Sequence, residues 1–215
     1  MISINYLKEK YLQLKNQIHH RLDTFKEIWK SNSSNLLFEE LVFCLLTPQS
    51  KAIMADKAIT ALKKQKLLFS GDFESISEIL KIVRFRNNKA RYILRAQEKF
   101  IHNHDKIDLY LTLKSYKSSQ DKRTWLVQEI TGIGLKEASH YLRNIGLGEN
   151  IAILDRHILA YLLHFGIIKE IPKTLSLKKY LQIEQSMTEF SKSISIPIDE
   201  LDLLLWYLKT GFFFK

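Results

Sequence analysis

The chain has 215 residues, with 33 Lys and Arg against 23 Asp and Glu, a formal net charge of +10 and 46% hydrophobic residues; that apolar content excludes a disordered chain, and the length suits one domain or two small lobes. With only 7 Gly, 3 Pro and 1 Cys, the composition argues against a many-stranded β fold, an intramolecular disulfide framework and a cysteine-ligated iron–sulfur cluster. No apolar run approaches the ~18 residues of a membrane span and the N-terminus lacks a secretory apolar core, so the expectation is a cytoplasmic protein that meets a polyanion and no membrane.

In chain order, Ile4, Leu7, Tyr11, Leu14, Ile18, Leu22, Phe25 and Trp29 recur at steps of three and four and predict one long amphipathic helix. A polar break at 31–35 precedes an apolar segment, Leu36 to Leu46, in which Cys44 reads as a buried small hydrophobe. Thr47-Pro48 reads as a helix start, a hydroxyl cap with proline at the first helical position. Ser75 with Glu78 reads as a capping box, and Asn87-Asn88 as the cap of a further helix. Helical patterns follow at 109–116, 121–130, 136–145, 156–165, 177–190 and 197–209. No strand pair with a hairpin turn stands out, so the expected class is all-α, about ten helices joined by short loops. His19-His20 and His102-x-His104-Asp105 supply no convincing ligand set and read as solvated histidines, so no metal is expected.

Two helical patterns meet at Thr131-Gly132-Ile133-Gly134, where two of the 7 glycines lie one residue apart. Glycine tolerates positive φ and lets another backbone or a phosphate approach closely. Helix N-terminal amides behind such a turn form an anion site, although an ordinary helical corner fits this motif equally well.

Ile130-Thr-Gly-Ile-Gly-Leu-Lys136-Glu-Ala138 resembles the hairpin of the helix-hairpin-helix DNA glycosylase superfamily, with Lys136 at the place of the lysine of its bifunctional members. Ile151-Ala-Ile-Leu-Asp155-Arg-His157 is similar to the segment that carries the aspartate. Leu46-Thr-Pro-Gln49-Ser resembles the turn whose glutamine lies near the extruded base, and Arg86-Asn-Asn-Lys89-Ala90 resembles an Asn-x-Lys-Ala helix opening. The single cysteine separates the chain from cluster-bearing relatives. Its C-terminus, Leu201 to Lys215, together with Lys136 to Gly146, resembles the archaeal-type 8-oxoguanine DNA glycosylase/lyase family, members of which end in lysine.

The resemblance implies a single two-lobed unit over 1–215, one lobe mainly from the N- and C-terminal helices and the other central, about 50–150, with the hairpin at 130–136. It implies a monomeric repair enzyme that excises 8-oxoguanine from double-stranded DNA and nicks the abasic site. Lys136 would attack C1′ and form a Schiff base, with Asp155 stabilising charge on the sugar and helping to move the lysine proton. Lys215, through its carboxylate, and Trp206 would recognise the base. Gln49, Gly132, Gly134, Arg156 and His157 would contact DNA, and the hairpin carbonyls could take a monovalent cation; no other cofactor is expected. Taken residue by residue, Lys136 also fits a solvated first-turn lysine, Asp155 a plain helix cap and Trp206 a core residue. A lyase for another oxidised base and a non-catalytic DNA-binding hairpin remain the alternatives.

Overall fold

Residues 2–102 and 107–215 are described by a computed structural model. Among them run eleven α-helices and no strand: α1 (Ile4–Lys30), α2 (Ser34–Leu46), α3 (Ala52–Lys64), α4 (Phe73–Ile79), α5 (Arg86–Gln97), α6 (Leu109–Ser115), α7 (Ser119–Glu129), α8 (Leu135–Asn144), α9 (Arg156–His164), α10 (Leu177–Ile194) and α11 (Ile198–Thr210). The stripe of α1 buries Leu7, Tyr11, Leu14, Ile18, Leu22 and Phe25 as its periodicity requires.

Helix ends follow local chemistry. Ser3, Ser33, Asp72, Asp108, Ser118, Asp155 and Ser176 each accept a backbone N–H of the helix they open. Three expected starts are corrected. Asn87-Asn88 is not a cap: α5 begins at Arg86 with Phe85 as its N-cap residue, and both asparagines lie inside it. Thr47-Pro48 does not open a helix: Thr47 closes α2, its hydroxyl donating to the Cys44 carbonyl at 3.0 Å, and α3 begins only at Ala52. Ser75 is not a cap; it lies inside α4, where Asp72 accepts both its N–H and its hydroxyl at 2.8 Å.

Two apolar clusters divide the chain. One gathers residues of α2 through α8, from Leu37 to Ile151; the other gathers α1 with Ala152, Leu154 and α9 to α11. The chain thus leaves one cluster and returns to the other between Ile151 and Ala152, in the segment that connects α8 to α9. The central cluster begins with α2, earlier than residue 50. Two buried ion pairs join the halves: Arg123 of α7 with Glu184 of α10, and Arg143 of α8 with Asp202 of α11. His19 is exposed, and its Nε2 lies 3.0 Å from Glu200 Oε2. His104 and Asp105 lie outside the described residues. Among the described residues no group of three or more His, Cys, Asp or Glu is placed to hold a metal, and no helix is long and apolar enough to cross a membrane.

Candidate active site

The hairpin between α7 and α8 is pinned from below by Ile130 and Ile133, both buried in the central cluster. Only one of its glycines needs to be glycine for its backbone. Gly132 has φ 95°, and a Cβ there would fall 2.4 Å from the Tyr92 ring of α5. Gly134 has φ −101°, ordinary extended backbone, and is the residue before α8, where no side chain caps the first amides. The N-terminus of α8 is therefore left with free donors beside an exposed glycine, an arrangement that suits an anionic oxygen.

Lys136 stands in the first turn of α8, half-buried, with its Nζ 3.0 Å from Glu137 Oε1. Its charge acts on Cys44 of α2, on Lys89 of α5 and on His140 one turn further along α8. The Cys44 thiol is buried, and burial pushes its pKa well up, so it is an inert core group rather than a nucleophile. Burial pulls His140 well below the ordinary imidazole value, which leaves it neutral, with Nε2 buried and unpartnered. Lys136 makes no ion pair with Asp155 among the described residues.

Asp155 is the N-cap of α9, accepting the N–H groups of His157 at 2.7 Å and Ile158 at 2.8 Å through Oδ1. One oxygen is thus committed to the helix. The segment that delivers it is bracketed by buried polar groups. Glu184 Oε1 accepts the Ala152 N–H at 2.7 Å; the Tyr180 hydroxyl donates to the Ala152 carbonyl at 2.7 Å and accepts from the Leu154 N–H at 3.3 Å. Arg123 holds Glu184 bidentately, at 2.6 and 2.8 Å, and also donates to Ser139 of α8 at 3.1 Å. One network therefore fixes both the helix of Lys136 and the approach to Asp155.

A family model described as 8-oxoguanine DNA glycosylase matches residues 18–196. The chain belongs to the 8-oxoguanine DNA glycosylase family. A Fusobacterium nucleatum protein named 8-oxoguanine DNA glycosylase/AP lyase is 46% identical over 213 residues, 98% of this chain and 97% of that one. The crystal structure of a Methanocaldococcus jannaschii 8-oxoguanine DNA glycosylase superposes with a TM-score of 0.87 at 35% identity, covering 99% of this chain and 95% of that one. The same archaeal enzyme in complex with a 15mer DNA containing 8-oxoguanine gives 0.85 at 35% identity, covering 97% and 99%. The all-α glycosylase fold and the enzyme class expected from the hairpin are those of the family.

In this member of the glycosylase family the remaining expected residues fall in three places. Gln49 is exposed on the turn between α2 and α3, in the left-handed region at φ 54°. Arg156 is exposed at the start of α9 and donates from Nε to His157 Nε2 at 3.3 Å, while the His157 ring packs edge-on to Trp206 with centroids 5.8 Å apart. Trp206 is half-buried, and its indole N–H is buried without a partner. The C-terminal tail is docked rather than frayed: Arg21 Nε donates to the Phe214 carbonyl at 2.9 Å, and Lys215 Nζ lies 2.6 Å from the buried Glu40 carboxylate and 4.9 Å from the Phe43 ring centroid.

Sequence reasoning missed Phe85. It is 54% exposed and left-handed at φ 59°, directly before α5, between exposed Arg84 and Arg86. Its turn adjoins that of Gln49, since the Arg84 N–H donates to Ser50 Oγ at 3.0 Å. An aromatic flanked by two cations in a polar stretch was the available signal. Arg123 and Glu184 were missed as well, and Lys89 was read only as part of a helix opening and not as a buried group, because charged residues read as solvent-facing by default.

Proposed function

We propose that this chain excises 8-oxoguanine from duplex DNA and cleaves the strand at the resulting abasic site, with Lys136 as the nucleophile. The observation that carries the reading is the place of Lys136 in a chain of this family: two residues past Gly134, in the first turn of α8, whose leading amides no side chain caps. The lone pair of the neutral amine attacks C1′ as the glycosidic bond breaks, the bonding electrons leaving with the base, which takes up a proton. Opening of the sugar ring gives the Schiff base. Loss of a C2′ proton then expels the 3′ phosphate by β-elimination, and water releases the lysine. Asp155, with one oxygen committed to the α9 cap, uses its remaining charge to stabilise the cationic sugar.

The base must leave the stack before the amine can reach its sugar. Gln49 and Phe85, exposed on adjoining turns, fill and wedge the vacated duplex. The amides behind Gly132 and Gly134 take a backbone phosphate, with Arg156 and His157 contacting another. Such contacts position the strand and read no sequence. Selectivity belongs to the flipped base: 8-oxoguanine offers an N7–H donor where guanine has an acceptor, so an anionic acceptor rejects guanine by leaving two acceptors facing each other. The Lys215 carboxylate is that acceptor. Its support is the tail docking, which ties down the Lys215 side chain and the Phe214 carbonyl; the unpaired indole N–H of Trp206 adds a donor. We propose further that the enzyme acts as a monomer in the cytoplasm, a reading supported by its charge of +10 and its DNA chemistry.

Borohydride trapping tests the assignment. Wild-type protein with duplex DNA containing 8-oxoguanine gives a covalent adduct, and Lys136→Gln gives none; an adduct that survives in Lys136→Gln refutes the nucleophile.

A further inference from the structure

We propose that Lys89 is a positioning residue for duplex engagement: its ammonium clamps the Gln49 turn and, through Ser50, ties it to the Phe85 turn, so that DNA meets the two as one rigid unit. This rests on the reading of those turns as DNA contacts.

Lys89 lies in the first turn of α5 and is 3% exposed. Its Nζ donates to the Leu46 carbonyl at 2.7 Å, the Pro48 carbonyl at 2.8 Å and Ser50 Oγ at 2.9 Å. An ammonium has three donors and no acceptor, so its capacity is used in full. All three partners lie between the end of α2 and the start of α3, and they bracket Gln49 on both sides in sequence. Ser50 Oγ takes a second bond, from the N–H of Arg84, the residue before Phe85. One buried cation is therefore one hydrogen bond from the Gln49 turn and two from the Phe85 turn.

The choice of residue is informative. A buried lysine is ordinarily paired with a carboxylate, and none is within ion-pair distance of Lys89 among the described residues. Burial, and then the charge of Lys136, pull its pKa down to about 8. The C-terminal carbonyls of α2, which attract a cation, offset part of this electrostatic cost. The turns it holds need holding. Gln49 and Phe85 both adopt left-handed backbone, at φ 54° and 59°, which carries a cost for residues with a Cβ and persists only where the surroundings dictate it. A wedge that must stay in a duplex hole cannot relax to another turn conformation.

The test compares two rates in each variant: excision of 8-oxoguanine from a duplex, and borohydride trapping on a single-stranded oligonucleotide carrying an abasic site. The second needs Lys136 but no hole to be filled. Their ratio cancels any change in the Lys136 amine itself, including that caused by removing a neighbouring charge. Ser50→Ala, which deletes the link between the turns and keeps the ammonium, lowers the ratio about fivefold; Lys89→Met lowers it about tenfold or more. A general loss of structure would lower both rates together and leave the ratio unchanged. Should Lys89→Met fail to fold, Ser50→Ala decides, and an unchanged ratio there overturns the proposal. The double variant Gln49→Ala/Phe85→Ala separates the two readings. If it too leaves the ratio unchanged, the turns are not DNA contacts; if it alone lowers the ratio, only the role of Lys89 falls.

Discussion

Replacing Glu184 by glutamine tests whether the cross-lobe network builds the active site or merely decorates it. The carboxylate accepts three hydrogen bonds, two from Arg123 at 2.6 and 2.8 Å and one from the Ala152 N–H at 2.7 Å. The two side chains are 2% and 8% exposed, so solvent hardly screens the pair. Glutamine keeps one acceptor oxygen but leaves the Arg123 guanidinium buried without an anion, and breaking a buried pair on one side costs about 3–5 kcal/mol. For a chain of this length each kcal/mol lowers Tm by about 2–4 °C, so the expected shift is about 6–20 °C. The assay is thermal and urea unfolding followed by circular dichroism, paired with single-turnover excision at a temperature where the variant stays folded. Excision should fall too, because Ala152 leads directly to Asp155. Replacing both partners by methionine should recover most of the stability but not the rate, since the Ala152 N–H stays unpaired. A Glu184→Gln chain within 1 kcal/mol of wild type, at wild-type rate, would refute the reasoning.

Gly132→Ala places a Cβ 2.4 Å from the Tyr92 ring on backbone at φ 95°; it should lower both stability and affinity for duplex DNA in fluorescence anisotropy, and Tyr92→Ala should restore only part of the stability, because the backbone penalty remains. Extending the chain beyond Lys215 should erode discrimination between 8-oxoguanine and guanine in competitive excision, whereas equal selectivity would remove the carboxylate from base recognition. Glu40→Gln, which weakens the hold on Lys215 Nζ, should move selectivity in the same direction by a smaller factor.

Most helices were legible because burial follows periodicity: the α1 stripe and the hairpin isoleucines needed only their spacing. The Asp155 cap was legible for the same reason, since a capping carboxylate needs only the helix behind it. The Pro48 turn was not. Thr-Pro carries the local chemistry of a helix start, yet the Thr47 hydroxyl turns back to Cys44, and Lys89, some forty positions away, takes the carbonyls of Leu46 and Pro48. A tertiary partner overrode a sound local signal. Phe85 stayed hidden because its exposure depends on a left-handed turn before α5 that Asn87-Asn88 did not announce; Asn87 instead accepts the Ser77 hydroxyl at 2.9 Å. Buried Arg123 and Glu184, 61 positions apart, pair only once both lobes exist.

The two buried ion pairs that join α7 and α8 to α10 and α11 also set the mechanical coupling between the two halves. Parting either pair would strand a buried charge, at a cost of about 3–5 kcal/mol, so a hinge motion that opens the molecule at these points is expensive against thermal energy. The halves are therefore expected to move as one stiff body, and hydrogen exchange at the amides of α7, α8, α10 and α11 should report one shared opening event rather than two.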